Sequence, residues 1–420
     1  MNNFIIKGNI IYSENTDKIK IYENSYLVSE NGKSMGVFKE IPEKYKDFDL
    51  IDYKDKIIIP GLVDLHVHAP QYNFRAAGMD LELIDWLNFY TFKSEAKFKD
   101  LDYAQKSYKT FVENIKYGPN TRHVIFSSLH LDSTIKLMDY MEESGLISYV
   151  GKVNMDQNGG EDLEEDTDKS IKDTKDWLKK TNYERTRPIL TPRFIPSCSR
   201  RLLKALGEIQ KEYDLPIQSH LSENLDEIEW VKELIPESKF YGDAYDRYGL
   251  FGKDSKTVMA HCVYSNEEEQ ELMRKNGVFI AHCPDSNTNL SSGIAPAGKY
   301  LRDGLKVGLG SDVAGGTHTS IFKAMADAIK VSKLRYRLVD QNIRPLSIEE
   351  AFYMATIGGG EFFGKVGSFD KGYEFDALVI DDENLIKVDD FSLRQRLERI
   401  IYLEDECDIV GKYVKGKKLF

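Results

Sequence analysis

The sequence predicts an α/β fold, a (β/α)8 TIM barrel with a small β domain built from both chain ends. Three observations carry this reading. From Ile57 onward, short apolar runs alternate with stretches of helical periodicity. Eight such runs fall in the central region, within about 250 residues, the size of one barrel. Both ends of the chain read instead as short strands with no helix between them. A doubly wound open sheet is the alternative, but no Gly-x-Gly-x-x-Gly follows any strand.

In chain order, residues 1–56 offer strand candidates at 4–6, 9–12, 24–29 and 49–53. Asn31-Gly32 is a hairpin turn signal, with 34–38 as the returning strand. Barrel strands are expected at 57–65, 122–127, 147–153, 187–191, 215–219, 256–260, 277–281 and 305–310. Helices are expected between most of them, at 131–144, 168–180, 199–213, 223–235 and 266–276. In the fourth of these, Leu225, Ile228, Val231, Leu234 and Ile235 recur at helical spacing. The acidic stretch 156–168 reads as a solvated barrel loop. Helices at 319–337 and 347–356 follow, and β character returns at 376–381 and 408–416. The expected division is a composite β domain of 1–56 and 372–420 around a barrel of 57–371.

Composition narrows the functional classes. The chain of 420 residues is 41% hydrophobic and 30% charged, which suits a packed core. A net charge of −12 argues against coating a nucleic acid. No apolar stretch reaches the roughly 20 residues of a membrane span. The opening Met1–Ile10 lacks the basic and apolar regions of a signal peptide. Cys198, Cys262, Cys283 and Cys407 include no Cys-x-x-Cys pair. A reduced, cytoplasmic setting is expected.

Barrel active sites lie at the C-terminal ends of the strands. That rule selects residues directly. His66 and His68 end the first strand and share a face, being two apart. His220, His261 and Asp312 end the fifth, sixth and eighth strands. Imidazole and carboxylate are ligands for a divalent metal, so a single metal site is expected. Glu223, just past His220, suits proton transfer beside that site, or else caps a helix. Binuclear barrel hydrolases often use a Lys at the end of the fourth strand. None stands there, and Lys152 after the third is the only positional candidate. His282, His130, His123 and His318 are expected to be structural.

The resemblance rests on longer stretches. They are Pro60-Gly-Leu-Val-Asp-Leu-His-Val-His-Ala-Pro-Gln-Tyr72, Trp86-Leu-Asn-Phe-Tyr-Thr-Phe92, Thr191-Pro-Arg-Phe194, Ile217-Gln-Ser-His-Leu-Ser-Glu-Asn224, Ile280-Ala-His-Cys-Pro284 and Gly308-Leu-Gly-Ser-Asp-Val-Ala-Gly-Gly316. With them the chain resembles the amidohydrolase superfamily in its single-metal deaminase branch, and within it the guanine deaminase family. The resemblance implies one Zn2+ per chain, with Fe2+ the alternative, held by His66, His68, His220 and Asp312. It implies Glu223, His261 and Asp312 as catalytic residues. Gln71, Arg193 and Phe194 would bind the base, reached also by His68, His220, Glu223 and Asp312, with Trp86 or Phe194 stacking on it. The implied reaction is hydrolysis of guanine to xanthine and ammonia, a step of purine metabolism, in a cytoplasmic homodimer without nucleic-acid or membrane partners. Asp285, Thr288-Asn289 and Lys93 depart from the family pattern. The alternatives are another single-metal deaminase, acting on cytosine, a triazine or an adenosine-derived substrate, and a non-catalytic barrel scaffold.

Overall fold

The computed structural model describes residues 3–160, 163–386 and 388–420. Eight parallel strands form one sheet: Leu62–His68, Asn120–Phe126, Ile147–Gly151, Thr186–Pro188, Ile217–Leu221, Thr257–His261, Phe279–His282 and Lys306–Leu309. The eighth strand pairs back to the first through Leu309 and Asp64. Leu190, just after the fourth, bridges Ile217 of the fifth. The ring is therefore closed, and its strand ends share one rim.

Helices wrap the ring because each carries one apolar stripe. In Arg200–Tyr213 the buried residues Leu202, Leu203, Leu206 and Ile209 recur at helical spacing. They join Ile217 and Met259 of the barrel in one core cluster. Ser199 caps this helix by accepting from the Leu202 N–H at 3.1 Å. Each fully buried Leu contributes roughly 1.5–3 kcal/mol. The helix expected at 223–235 runs Leu225–Leu234. Leu225 is 57% exposed rather than on its buried stripe. It sits in the first turn, just after the Asn224 cap, where the chain leaves the rim toward solvent.

The chain ends meet in a seven-stranded sheet. Its order is Lys417–Lys418, Asp408–Val414, Ala377–Asp381, Asp49–Pro60, Phe4–Ser13, Ile19–Glu30, Lys33–Phe38. The Asn31-Gly32 turn joins the last two, both residues at positive φ. Residues 57–60, read from sequence as the start of the first barrel strand, belong to this sheet. They pair with both Phe4–Ser13 and Ala377–Asp381. The break falls at Gly61, where a Cβ would meet Thr121 Oγ1 at 2.2 Å. The acidic stretch 156–168 includes 161 and 162, which lie outside the described residues. Among the described residues, no helix is long and apolar enough to cross a membrane.

One buried charge cluster ties the sheet to the barrel. Arg122, on the second barrel strand, donates from Nε to Asp376 at 2.6 Å and from Nη2 to Glu374 at 2.6 Å. Asp376 is buried and also accepts from the Lys415 backbone N–H at 2.7 Å. Removing the guanidinium leaves that carboxylate buried and unpaired. Arg122→Met is expected to lower unfolding stability by about 3–5 kcal/mol, read as a drop in the denaturant midpoint. Lys172→Ala, which removes the exposed Lys172–Asp176 pair, is expected to leave the midpoint in place.

Candidate active site and metal centre

His66 and His68 point into the ring from the end of the first strand. His66 Nε2 stands 3.2 Å from His68 Nε2, which stands 3.2 Å from His220 Nε2. Asp312 Oδ1 lies 3.1 Å from His66 Nε2 and 3.4 Å from His68 Nε2. Four donors about 2.0–2.1 Å from one tetrahedral ion stand roughly 3.3 Å apart. The four separations given, each involving His66 or His68, match that spacing. Burial lowers the pKa of His66, and it holds His68 and His220 well below the ordinary histidine value. Burial thus favours the neutral imidazole, the form that ligates a metal. The donor set therefore fits one divalent ion.

The residues behind the ligands fix their orientation. His220 Nδ1 donates to the Arg193 carbonyl at 2.6 Å, which leaves Nε2 free as the ligand atom. Phe126, ending the second strand, packs within 5.0 Å of the His66, His68 and His220 ring centroids. Asp64 accepts from the His66 N–H at 3.1 Å, the Ser311 N–H at 3.0 Å and the Ser311 hydroxyl at 2.5 Å. It thereby links the first strand to the loop carrying Asp312. That loop passes close to His66, since a Cβ on Gly310 would meet His66 Cβ at 2.8 Å. Asp312 itself has φ 48 and His261 φ 73, conformations that non-glycine residues adopt at a cost of about 1–3 kcal/mol each.

Two titratable groups face the ligand cluster. His261 Nε2 lies 3.4 Å from Glu223 Oε2 and 3.7 Å from Asp312 Oδ2. Its Nδ1 meets Asn287 Oδ1 at 2.8 Å. Burial opposes a charged His261, but Glu223 and Asp312 outweigh it and raise its pKa. Burial likewise opposes a charged Asp312, yet the surrounding histidines hold its carboxyl far below the usual range. Glu223 moves the other way, raised chiefly by burial. Ser292 donates to Glu223 Oε1 at 2.9 Å, and Glu227 accepts from the Glu223 backbone N–H at 3.1 Å. Glu227 is itself pushed up to about 7, by burial first and Glu223 second.

A pocket opens onto these groups. His68, His220, Glu223, His261 and Asp312 form its floor, and Gln71, Trp86, Arg193 and Phe194 its walls. All the residues expected to bind the base thus face one space, with His66 behind them. Gln71 Oε1 accepts from the Ala314 N–H at 3.0 Å. Its Nε2 donates to Glu95 at 2.7 Å, and Arg193 forks onto the same carboxylate. Sequence reasoning missed Glu95, Asn287, Ser292, Asp64 and Phe126. Of these, only Asp64 carries a spacing signal, two residues before His66 on one strand face.

The remaining candidates sit apart. Lys152 Nζ is taken up by Glu165 at 2.9 Å. His282 stands outside the clusters His66–His68–His220 and His66–His261–Asp312, the side chains close enough together to hold an ion. His130 is pushed down to about 4 and His123 to about 3, each mainly by burial, and His318 is exposed. The departures from the family pattern have structural partners. Asp285 accepts from the Thr317 N–H at 2.7 Å, and Asn289 donates to the Gly315 carbonyl at 2.9 Å. Both hold the loop that follows Asp312.

Comparison with known proteins agrees with this geometry. The model of the Amidohydrolase family matches residues 57–419. A guanine deaminase of Dictyostelium discoideum is 36% identical, covering 99% of this chain and 98% of that protein. A 5'-deoxyadenosine deaminase of Methanocaldococcus jannaschii is 32% identical, covering 83% of this chain and 80% of that protein. The crystal structure of a guanine deaminase from C. acetobutylicum, with guanine bound in its active site, superposes with a TM-score of 0.96 at 49% identity over 100% of both chains. This chain belongs to the amidohydrolase family, in the branch that holds the guanine deaminases.

Proposed function

We propose that this chain hydrolyses guanine to xanthine and ammonia, with His66, His68, His220 and Asp312 as its metal ligands. The observation that carries the reading is the pocket in which His68, His220 and Asp312 of this donor set adjoin Glu223 and the base-facing Gln71 and Arg193. The guanine-bound relative, alike along its whole length, supports the same reading. A divalent ion on the four ligands, zinc in our reading, supplies Lewis-acid activation of water, whose pKa falls from 15.7 toward about 7.

The side chains divide the remaining work. The water oxygen bonds to C2, and the C2–amine bond breaks. Asp312, held ionised by its histidine neighbours, accepts the proton lost by the water. His261 lies between Asp312 and Glu223 and orients the attacking oxygen. Glu223, with its raised pKa, delivers a proton to ring atom N3 as C2 becomes tetrahedral. Now ionised, Glu223 takes the proton of the new C2 hydroxyl, which becomes the carbonyl, and carries it to the departing amine, while the proton held by Asp312 restores Glu223. Arg193 donates to the purine carbonyl oxygen, and the Gln71 amide meets the neighbouring edge. Adenine lacks that carbonyl and would leave buried donors unpaired, which disfavours it strongly. A cytoplasmic homodimer accompanies this reading, supported by the family resemblance.

Guanine, adenine, cytosine and a diaminotriazine are compared for ammonia release, with the ultraviolet change followed for each. Guanine alone is expected to react at a substantial rate. Turnover of another base with none of guanine contradicts the assignment. Glu223→Gln is expected to keep its metal and lose about 10²–10⁴ in kcat. A near-normal rate removes Glu223 from the proton path.

A further inference from the structure

Glu95 touches neither the pocket nor the metal ligands, yet both base-facing polar side chains converge on it. It lies in the helix Phe92–Ala96, which follows a π turn at Leu87–Thr91. Such turns shift the phase of a helix and recur near functional sites. Here Phe92 and Glu95 are both buried, Glu95 to 2% exposure. Its Oε1 accepts from Gln71 Nε2 at 2.7 Å and from Arg193 Nη2 at 3.1 Å. Its Oε2 accepts from Arg193 Nη1 at 2.5 Å. The Arg193 guanidinium also lies over the Phe92 ring, 5.3 Å from its centroid. One short helix therefore holds Arg193 both by charge and by its aromatic face.

This arrangement has consequences for recognition. An amide side chain can exchange donor for acceptor by turning over. Gln71 is prevented from doing so. Ala314 N–H occupies its oxygen and the Glu95 carboxylate occupies its nitrogen, and a carboxylate only accepts. The bidentate fork likewise fixes the plane of the guanidinium. Glu95 also balances the Arg193 charge, so the reading edge is suited to a neutral base rather than an anion. We infer that Glu95 is the positioning residue that sets base recognition, acting through Gln71 and Arg193. This rests on the proposed base-binding role of those two residues.

The test is a cycle of Glu95→Gln, Arg193→Ala and their combination, with Glu95→Asp added. KM and kcat for guanine and bound metal are measured for each. Glu95→Gln keeps the shape but loses the charge and the acceptor-only character. It is expected to raise KM about tenfold or more, the scale of a lost charge-assisted bond. Its kcat and metal content stay near those of the parent, as lost ground-state binding requires. Glu95→Asp keeps the charge but falls short of holding both partners, and its KM is expected to lie between parent and Glu95→Gln. In the Arg193→Ala background the further loss from Glu95→Gln shrinks, because the two act as a unit.

An unchanged KM in Glu95→Gln, beside a raised KM in Arg193→Ala, overturns the inference alone. So do fully multiplicative effects in the cycle, or a fall in kcat with KM unmoved. An unchanged KM in Arg193→Ala overturns the base-binding reading and the inference with it. Should Glu95→Gln fail to fold because its buried guanidinium loses its partner, Glu95→Asp decides the question: a raised KM supports the positioning role, and parental KM overturns it.

Discussion

The structure depends on the forced proximity of His66, His68, His220 and Asp312. His68 Nε2 stands 3.2 Å from both His66 Nε2 and His220 Nε2, an arrangement in which facing lone pairs gain nothing from one another. Closure of the barrel imposes it. The strand ends share one rim, and the rim is too narrow for these side chains to avoid each other. A cation at their centre, as we propose, would turn that mutual opposition into ligation.

Much of the surrounding structure maintains this arrangement. Asp64 couples the first strand to the turn after the eighth by two hydrogen bonds from Ser311. Gly310 allows that turn to pass against His66. Positive φ values at Asp312 and His261 concentrate backbone strain where the chemistry lies. The opposite pKa shifts of Asp312 and Glu223, two buried carboxyls in one pocket, follow from their neighbours. Histidines surround the first, whereas burial dominates the second. Environments that drive two acids apart separate their roles in proton transfer. Away from the site, the Arg122–Asp376 cluster keeps the outer sheet in register with the barrel.

The fold and the convergence of the candidate metal donors were legible in the sequence for a common reason. Strand periodicity locates strand ends, and barrel topology brings those ends together. His220 and Asp312 are 92 residues apart yet predictable as neighbours on that basis. Residues 57–60 were misassigned because an apolar run carries no mark of which sheet it joins. Only the close approach of Gly61 to Thr121 divides it. Leu225 was assigned to a buried stripe because spacing cannot reveal that a first helical turn projects into solvent. Glu95, Asn287 and Ser292 escaped notice for another reason. Each lies on a loop or short helix whose path depends on tertiary contacts, and in the case of Glu95 a π turn breaks the periodicity that would have marked it.

The central claim is that one ion and one purine share this pocket, each held by its own set of side chains. Anomalous diffraction at the metal edge, from crystals grown with xanthine, addresses it most directly. One peak per chain is expected, ligated by His66, His68, His220 and Asp312, with the base between Trp86 and Phe194 and its edge against Gln71 and Arg193. Two peaks per chain, a single peak away from these ligands, or a base bound outside the pocket would contradict the account.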